Sequence, residues 1–565
     1  MARFGDHMTR RTTYRLAGGL LLATFVVLLV RAYPTGWEDP VFDSPRSNVT
    51  FELARHWADG DGLRYHSTLA DQLPADLVVA ATPRDAAMVD GDILPKDFAL
   101  SVIVFSGAQL LPAGVTPFLV PLFSALGIAS AGWLVFILTG RRSWAWLAAL
   151  VQASLPSYLS ASAKPLLSDV PAVALLLAGL ALVARSATRE PSPRASFEAG
   201  LGMTLLFASA GMRYTLLGFV LVFVIVFVVT TPILRVQTLV LSATAGVVLA
   251  AVVLSFNAVV YGDPLTSGYS IASGFAADTV NPQGGGILMF DPQAAMGNLV
   301  NYVLRPETLL VLVIGAAAIL PPARAYWRRL LPDELDGFYI ATWAGFFLYT
   351  GFVLVGQLGG RSWGVEEFRV NASFARYLMP SVAVGIVLGA TWVSGVTARM
   401  WRELGGAVLA LSVVWSLPFS VYGSIGLVDK YQTIERLEAD REALLAAIPE
   451  GAAVITQSLD KILWPERDTI TATFLVRNED PTPQDLGNLW GNVPDPVRLV
   501  EVLQSLCATL DRDVYLVDDG RWLREQFDGR GTAMTRDLLA GTGVRLVRIA
   551  GVQPILHLVD CGLPA

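Results

Sequence analysis

The chain has 565 residues, of which 53% are hydrophobic and only 16% are charged, and its mean hydropathy is +0.52. Because a typical soluble domain is about 25% charged, this composition excludes an ordinary soluble enzyme and a disordered protein, and it predicts a protein embedded in lipid. The net charge of −7 and the pI near 5.3 argue against nucleic acid or another polyanion as a partner. The four histidines do not favour a His-rich metal site, and the two cysteines permit at most one disulfide.

The charges divide the chain into two parts. Residues 429–565 carry 22 acidic and 14 basic side chains, a net charge of −8, so residues 1–428 sum to about +1. The first part contains long uncharged stretches, most of which approach the ~20 apolar residues of a membrane-spanning helix. We therefore predict an all-α polytopic membrane domain over residues 1–428 and a soluble α/β domain over residues 429–565. The eleven predicted spans lie near residues 16–32, 115–139, 144–161, 169–185, 197–212, 214–231, 236–260, 306–320, 338–356, 378–396 and 405–424.

Arginine placement orients these spans, because short cytoplasmic loops are rich in Lys and Arg. Arginines before the first span place the N-terminus inside, and no Lys or Arg occurs between Arg235 and Arg305, which places the loop after residue 260 outside. With eleven spans the C-terminal domain also lies outside, provided that residues 98–112 form an interfacial helix that does not cross the membrane. We expect the first helix to be retained, because Arg31-Ala-Tyr-Pro34 is a poor signal-peptide cleavage site.

The C-terminal part begins with a charged helix over residues 429–448, followed by apolar strand-like runs that alternate with helical patterns. This alternation predicts a small α/β domain. The domain contains no GxGxxG, Walker A or GxSxG motif, so the sequence favours a structural or acceptor-docking role for it. The predicted strands are at 452–456, 471–476, 514–517, 544–549 and 555–559, and the predicted helices between them are at 496–510 and 521–527.

The large first outer loop, residues 33–114, contains three carboxylates close to the predicted membrane edge: Glu38, Asp39 and Asp43. An amphipathic stretch over residues 47–58 follows them. A carboxylate at this depth can accept the proton of an attacking hydroxyl group, so Asp39 and Asp43 are candidate bases. The alternative is that outer-loop carboxylates are simply solvated, and we favour that alternative for Glu38.

Ionisable residues recur at the predicted outer ends of later spans, namely Lys164, Asp169, Arg213 and Arg376. An ionisable group at a helix mouth is costly unless it is solvated, paired or bound to a ligand. Arginine can donate two parallel hydrogen bonds to phosphate oxygens, so the combination predicts a site for a phosphate-bearing ligand. Each arginine taken alone is explained more simply as an anchor to lipid headgroups.

Several short motifs follow one another in a characteristic order. The first loop contains F-x-x-A-R-x-x-x-x-G-x-G-L-x-Y (51–65), and P-x-Y-x-x-x-x-A-x-x-x-L-S-D-x-P follows at 156–171. The segments G-M-R-Y (211–214), F-N-x-x-x-Y-G-D-P-L-T-S-G-Y (256–269) and F-A-R-Y-L-M-P (374–380) come after them. In this order and spacing, the chain resembles the GT-C superfamily of polytopic glycosyltransferases. It is similar in particular to the branch that contains the protein O-mannosyltransferases and the lipid A aminoarabinose transferase, over most of residues 10–425.

The resemblance implies roles for individual residues. Asp43 matches the first-loop aspartate that acts as the general base, and Asp169 matches a second acidic residue near the floor of the active site. Lys96 falls where relatives carry a basic residue near the donor phosphate, although the usual K/H-P-P-L sequence is replaced here by K-D-F-A. Many relatives have two adjacent acids in the first-loop motif, whereas Asp43 is followed by Ser44, so Asp39 remains a competing candidate for the base.

The function implied by the resemblance is transfer of a sugar from a polyprenyl-phosphate donor to a lipid, glycan or protein acceptor at the outer face of the plasma membrane. A single base favours in-line displacement with inversion, and cations would stabilise the leaving phosphate. We expect no cofactor, since no cluster of carboxylates and histidines indicates a metal. The alternatives are a transporter or flippase of lipid-linked glycans, which would place ionisable residues in mid-membrane, and a non-catalytic membrane scaffold. The predicted ligands of the donor phosphate are Arg376, Arg213, Lys96 and Lys164.

Overall fold

The computed structural model describes residues 18–32, 39–74, 77–111, 115–190, 192–230, 235–268, 270–271, 333–355, 372–396, 398–423, 426–456, 458–471, 496–518, 539 and 542–562. This described part is mainly helical up to Tyr422. Its helices are, in chain order, α1 (Gly18–Arg31), α2 (Pro45–Ala58), α3 (Ala99–Gln109), α4 (Leu119–Thr139), α5 (Arg142–Ser154), α6 (Pro156–Ser162), α7 (Asp169–Ala187), α8 (Pro193–Met212), α9 (Leu217–Thr230), α10 (Arg235–Tyr261), α11 (Asp333–Val355), α12 (Ala372–Gly395) and α13 (Arg399–Tyr422).

Several of these helices have the length and composition of membrane spans, which confirms a helical membrane protein with more than one span. The described residues contain five segments that meet both criteria: Thr116–Thr139, Asp169–Ala187, Leu239–Tyr261, Arg376–Gly395 and Arg399–Ala447. The number of eleven spans stays a prediction, and the span predicted over residues 306–320 lies outside the described residues.

Helix α7 lies at the centre of the helical bundle, between α4 and α8. Nearly all of its side chains are buried. It approaches α8 closely because Gly179 and Gly202 face each other: a Cβ atom on Gly179 would lie 2.8 Å from the carbonyl oxygen of Gly202. Small residues at such a contact allow two helix backbones to pack directly, as is common between membrane helices. The first residue of this central helix is Asp169, which brings a carboxylate to the end of the bundle.

The predicted span 144–161 is interrupted. Helix α5 ends at Ser154 and α6 begins at Pro156, with Leu155 between them in an extended conformation (φ −64°, ψ 126°). The ring of a proline clashes with a helical conformation of the preceding residue, whereas proline itself fits well at the first position of a helix. The break was therefore readable from Pro156, which the prediction of one continuous span did not take into account.

The described part of the first loop folds into two helices and a small antiparallel sheet. Its strands are β1 (Tyr65–His66), β2 (Ala86–Val89) and β3 (Asp92–Pro95), in the order β1-β3-β2. The amphipathic stretch predicted at residues 47–58 lies within α2. The segment 98–112 contains α3, whose 11 residues span about 16 Å, well short of the ~30 Å hydrocarbon core. Helix α3 packs on α2 and α8, so it connects the loop to the membrane bundle.

The C-terminal part is the small α/β domain that the sequence predicts. Four of the predicted strands are confirmed, at 452–456, 514–517, 544–549 and 555–559. The strand predicted at 471–476 begins earlier, at Asp468, and its residues 472–476 lie outside the described part. The helix predicted at 521–527 also lies outside the described part. The elements are α14 (Leu427–Ala447), β4 (Ala453–Thr456), α15 (Asp460–Leu463), β5 (Asp468–Thr471), α16 (Pro496–Thr509), β6 (Val514–Asp518), β7 (Val544–Ile549) and β8 (Ile555–Cys561). The five strands form one mixed sheet in the order β5-β4-β6-β8-β7.

The first loop completes the core of this C-terminal sheet. On one face, Val454 and Val517 pack against α14 and α15. On the other face, Ile455 packs with α16 and with apolar side chains of residues 69–81 from the first loop. Alternate residues of a strand point to opposite faces, so β4 contributes to both layers. A disulfide between Cys507 and Cys561 joins α16 to β8. The loop and the C-terminal domain are therefore packed together, and residues from both can reach one site.

Candidate active site

Asp43 lies in the segment between α1 and α2, with a side chain that is 5% exposed. The Lys430 ammonium donates a hydrogen bond to Asp43 Oδ2, and Lys164 Nζ lies 3.4 Å from the same oxygen. Lys461 Nζ donates to the backbone oxygen of Asp43 at 3.2 Å. Asp43 Oδ1 has no hydrogen-bond partner among the residues that the structure describes. The carboxylate is therefore held by one oxygen and can accept a proton or a hydrogen bond at the other.

The lysines keep Asp43 ionised. Burial by itself raises the pKa of Asp43. The positive charges of Lys164 and Lys430 and the hydrogen bond from Lys430 together lower the pKa by more than burial raises it, so the pKa of Asp43 lies below its ordinary value. Burial in turn lowers the pKa of Lys164, and it lowers the pKa of Lys461 to about 8. Both lysines are therefore easier to deprotonate than a lysine in water, and an additional anion would stabilise their charged forms.

A second charged group lies at the start of α7. Asp169, whose side chain is 4% exposed, forms an ion pair with Arg213, and its Oδ2 lies 3.6 Å from Arg376 Nη1. Arg213 also stacks over the ring of Tyr377, 4.2 Å from its centroid, and donates to the backbone oxygen of Arg376 at 3.4 Å. As the first helical residue, Asp169 also benefits from the positive end of the helix dipole. It holds two guanidinium groups at the end of the bundle.

Arg376 contacts Asp169 and also acts electrostatically on the group around Asp43. Its positive charge lowers the pKa of Lys164 in the first group, although burial is the main cause of that shift. Burial raises the pKa of Asp85, but nearby positive charges lower it to below its ordinary value; Lys96 contributes most to this lowering, and Arg376 also contributes. Lys96 Nζ lies 3.5 Å from Asp85 Oδ1, in the loop before α3. The predicted residues Asp43, Asp169, Lys96, Lys164, Arg213 and Arg376 therefore lie in a predominantly cationic region whose members are linked by ion pairs or by the charge of Arg376.

Asp39 does not join this region. Its side chain is 58% exposed and receives two hydrogen bonds from Arg441, at 2.7 and 2.9 Å. Arg441 also donates to Glu466 at 2.6 Å. Asp39 therefore belongs to a surface ion pair that joins the first loop to the C-terminal domain.

The C-terminal domain contributes site residues that were not predicted from the sequence. Lys430 lies in the first turn of α14, and Lys461 lies in α15. The neighbouring Asp460 is fully buried and accepts from both the backbone and the guanidinium of Arg84, each at 2.8 Å. One signal was available in the sequence: the whole chain has only four lysines, and three of them contact Asp43.

No group of three or more His, Cys, Asp or Glu side chains in the described residues has the arrangement of a metal site. The chemistry that the geometry itself offers is binding of an anion by several cations beside a carboxylate. Such an arrangement can bind a phosphate group and receive a proton nearby.

Comparison with known proteins identifies the fold. No family model and no curated protein matches the chain. Among solved structures, ArnT from Cupriavidus metallidurans in the apo state has a TM-score of 0.55 at 13% identity, covering 98% of this chain and all of that one. ArnT from the same organism bound to undecaprenyl phosphate has a TM-score of 0.47 at 12% identity, with the same coverage. An Archaeoglobus fulgidus oligosaccharyltransferase in complex with Zn and sulfate has a TM-score of 0.43 at 14% identity, over 88% of this chain and 67% of that one.

The match to apo ArnT confirms the resemblance at the level of the fold. ArnT is an aminoarabinose transferase of the GT-C superfamily, and the match extends over the full length of both chains. The C-terminal α/β domain is thus part of the shared architecture. At 13% identity the likeness concerns the fold alone, so the activity has to be argued from the site.

Proposed function

We propose that the protein is a membrane glycosyltransferase that transfers a sugar from a polyprenyl-phosphate donor to an acceptor at the outer face of the membrane. The observation that carries the proposal is the position of Asp43, ionised and with one oxygen unpaired in the described structure, inside a region of lysines and arginines at the ends of the helices. A phosphate diester has the charge that this region lacks, and its prenyl chain would lie in the adjacent bilayer. The fold shared with ArnT supports the same reaction class.

In the proposed reaction Asp43 is the base. It accepts the proton of the acceptor hydroxyl while the oxygen of that hydroxyl forms a bond to the anomeric carbon. The bond between the anomeric carbon and the phosphate oxygen breaks on the opposite side, which inverts the configuration and releases polyprenyl phosphate. A positioned base contributes typically about 10²–10⁴-fold to the rate.

The cations stabilise the leaving group. Arg376, Arg213, Lys96 and Lys164 are the proposed ligands of the donor phosphate, where negative charge accumulates as the glycosidic bond breaks. Asp169 contacts no reacting atom in this proposal and positions Arg213 and Arg376 through its two ion pairs. The carboxylate and the cations supply both functions, so the proposal assigns no cofactor.

The proposed topology has eleven spans, with the N-terminus in the cytoplasm and the C-terminal domain outside. The arginine-rich loops support this orientation. The disulfide between Cys507 and Cys561 also supports it, because disulfides persist in the oxidising extracytoplasmic space. In intact cells, a membrane-impermeant thiol reagent applied after mild reduction should label both cysteines; labelling that requires a permeabilised membrane contradicts the topology.

The reaction is tested with purified protein in lipid nanodiscs and a panel of polyprenyl-phosphate sugars that differ in the sugar. We expect one donor to release free polyprenyl phosphate in the presence of a lipid, glycan or protein acceptor fraction. The product should have the opposite anomeric configuration to the donor, as determined by NMR. Retained configuration contradicts the single-base mechanism, and absence of release with every donor and acceptor fraction contradicts the proposed function.

A further inference from the structure

All four lysines of the chain lie in the candidate active-site region. Lys164, Lys430 and Lys461 each contact Asp43, and Lys96 pairs with Asp85 nearby. The chain has 41 Lys and Arg residues together, so the other 37 basic residues are arginine. Lysine differs from arginine in being a compact charge that can lose its proton when it is buried. The site thus concentrates the one basic residue type that can respond to the arrival of an anion.

The contacts around Asp43 have an excess of positive charge. Two ammonium groups contact the Asp43 carboxylate and a third contacts its backbone oxygen, so the cluster carries a net charge of +2 when all three amines are protonated. Burying like charges together is unfavourable unless an opposite charge compensates them. Asp460 lies next to Lys461, but its two oxygens already accept hydrogen bonds from Arg84. The arrangement is therefore suited to an additional anion.

Two of the three lysines belong to the C-terminal domain, and that domain is held firmly against the first loop. Besides the Arg84–Asp460 pair, Asn48 donates to the backbone oxygen of Trp464 at 2.9 Å. The start of α14 carries Lys430 and α15 carries Lys461, both with half-buried side chains. These contacts fix both ammonium groups beside Asp43, so the domain contributes directly to the site.

We propose that Lys430 and Lys461 of the C-terminal domain form, with Lys164, an anion-binding subsite in which the donor phosphate exchanges with Asp43. Without donor, Asp43 Oδ2 accepts the hydrogen bond of Lys430. When the phosphate enters, its oxygens replace Asp43 as the partner of the lysines, and the carboxylate is released to accept the acceptor proton. Release from Lys430 thus makes the carboxylate a stronger base when the donor is bound, and the C-terminal domain is a part of the active site. This inference rests on the function proposed above.

The exchange makes two opposite predictions for donor binding. Charge-assisted hydrogen bonds contribute about 1.5–3 kcal/mol, so loss of the Lys430 amine should weaken binding of undecaprenyl phosphate about 10- to 100-fold. Removal of the competing charge in Asp43→Asn should instead strengthen binding. Neither substitution should alter binding of undecaprenol, which lacks the phosphate. Arg436→Ala is the matched control, since it removes an exposed cation from the same helix as Lys430.

These affinities are measured on the full-length protein in nanodiscs. Weaker binding in Lys430→Ala, partial recovery in Lys430→Arg and tighter binding in Asp43→Asn support the exchange. Unchanged affinity in Lys430→Ala, or affinity in Asp43→Asn that is equal to or below that of the wild type, overturns it. Donor transfer by the wild type is measured in parallel, so that a failure of this inference is distinguished from a failure of the proposed function.

A footprint on the wild-type protein covers the case in which a variant does not fold. Lysines are acetylated with an amine-specific reagent, and modification at each of the four positions is quantified by mass spectrometry. We expect undecaprenyl phosphate to protect Lys430 and Lys461 several-fold relative to undecaprenol. Equal modification of both lysines with the two lipids contradicts their role as phosphate ligands.

Discussion

Substitution of Asp169 by Ala should both destabilise the protein and weaken donor binding, because the carboxylate that pairs with Arg213 and Arg376 is lost. Asp169 is 4% exposed and its partner Arg213 is 5% exposed. Removing one member of a buried ion pair costs about 3–5 kcal/mol, because the remaining charge stays in a medium of low polarity. The contact with Arg376 adds little, since that guanidinium is 23% exposed and its pair is longer, at 3.6 Å. The expected loss of stability is therefore about 3–5 kcal/mol.

The double variant Asp169→Ala/Arg213→Met separates the two consequences. Replacing a buried ion pair by apolar side chains is often nearly neutral, so most of the lost stability should return. Donor binding should not return, because Arg213 is absent and Arg376 has lost the carboxylate that positions it.

Stability is measured by reversible unfolding in mixed micelles, and affinity for the phosphate of the donor by binding of its carrier, undecaprenyl phosphate. Arg399→Ala serves as a control, since Arg399 forms an exposed pair with Glu403 for which we expect a loss below about 1 kcal/mol. An Asp169→Asn variant that retains both wild-type stability and wild-type donor affinity, but loses turnover, would refute the positioning role. Asp169 would then act in the chemical step.

The remaining predictions concern single groups of the site. Asp39→Ala removes only an exposed ion pair with Arg441 and should leave turnover unchanged and cost below about 1 kcal/mol of stability; a loss of turnover comparable to that in Asp43→Asn would favour Asp39 as the base. Arg376→Ala should weaken binding of the phosphate donor without affecting a neutral analogue, and equal loss for both would contradict a phosphate contact. Affinity for undecaprenyl phosphate should fall as the pH rises through about 8, because the charged form of Lys461 binds the anion and burial lowers its pKa to about 8. The fall near pH 8 should be smaller in Lys461→Arg, in which Lys164 still titrates, and an identical pH profile in that variant would contradict the assignment. The charged groups that act on Lys461 are Arg84, Asp43, Asp460 and Lys430.

Much of the fold could be predicted because it depends on local patterns. Uncharged stretches of sufficient length specify membrane helices, and alternating apolar runs specify the C-terminal strands. The interruption at Pro156 was also local and follows from proline geometry. In the same way, Asp43, Asp169 and Arg213 are candidates from the sequence because each lies where a helix or loop meets the predicted membrane edge.

The contribution of the C-terminal domain to the site could not be read from local patterns. Lys430 and Asp43 are 387 positions apart, and the helix of Lys430 has the charged composition of an ordinary surface helix. Their contact depends on the packing of the first loop against the C-terminal sheet, in which residues 69–81 complete the apolar core. Periodicity describes which face of an element is buried, but it does not specify which distant element covers that face.

The central claim, that Asp43 is the base of a sugar transfer from a polyprenyl phosphate, is tested most directly by single-turnover kinetics. Wild type, Asp43→Asn and Arg436→Ala are loaded with the active donor in nanodiscs, and release of polyprenyl phosphate is followed after acceptor is added. We predict that Asp43→Asn slows release about 10²–10⁴-fold without weakening donor binding, and that Arg436→Ala reacts as the wild type does. Release from Asp43→Asn at the wild-type rate, per folded and donor-loaded molecule, would contradict the claim.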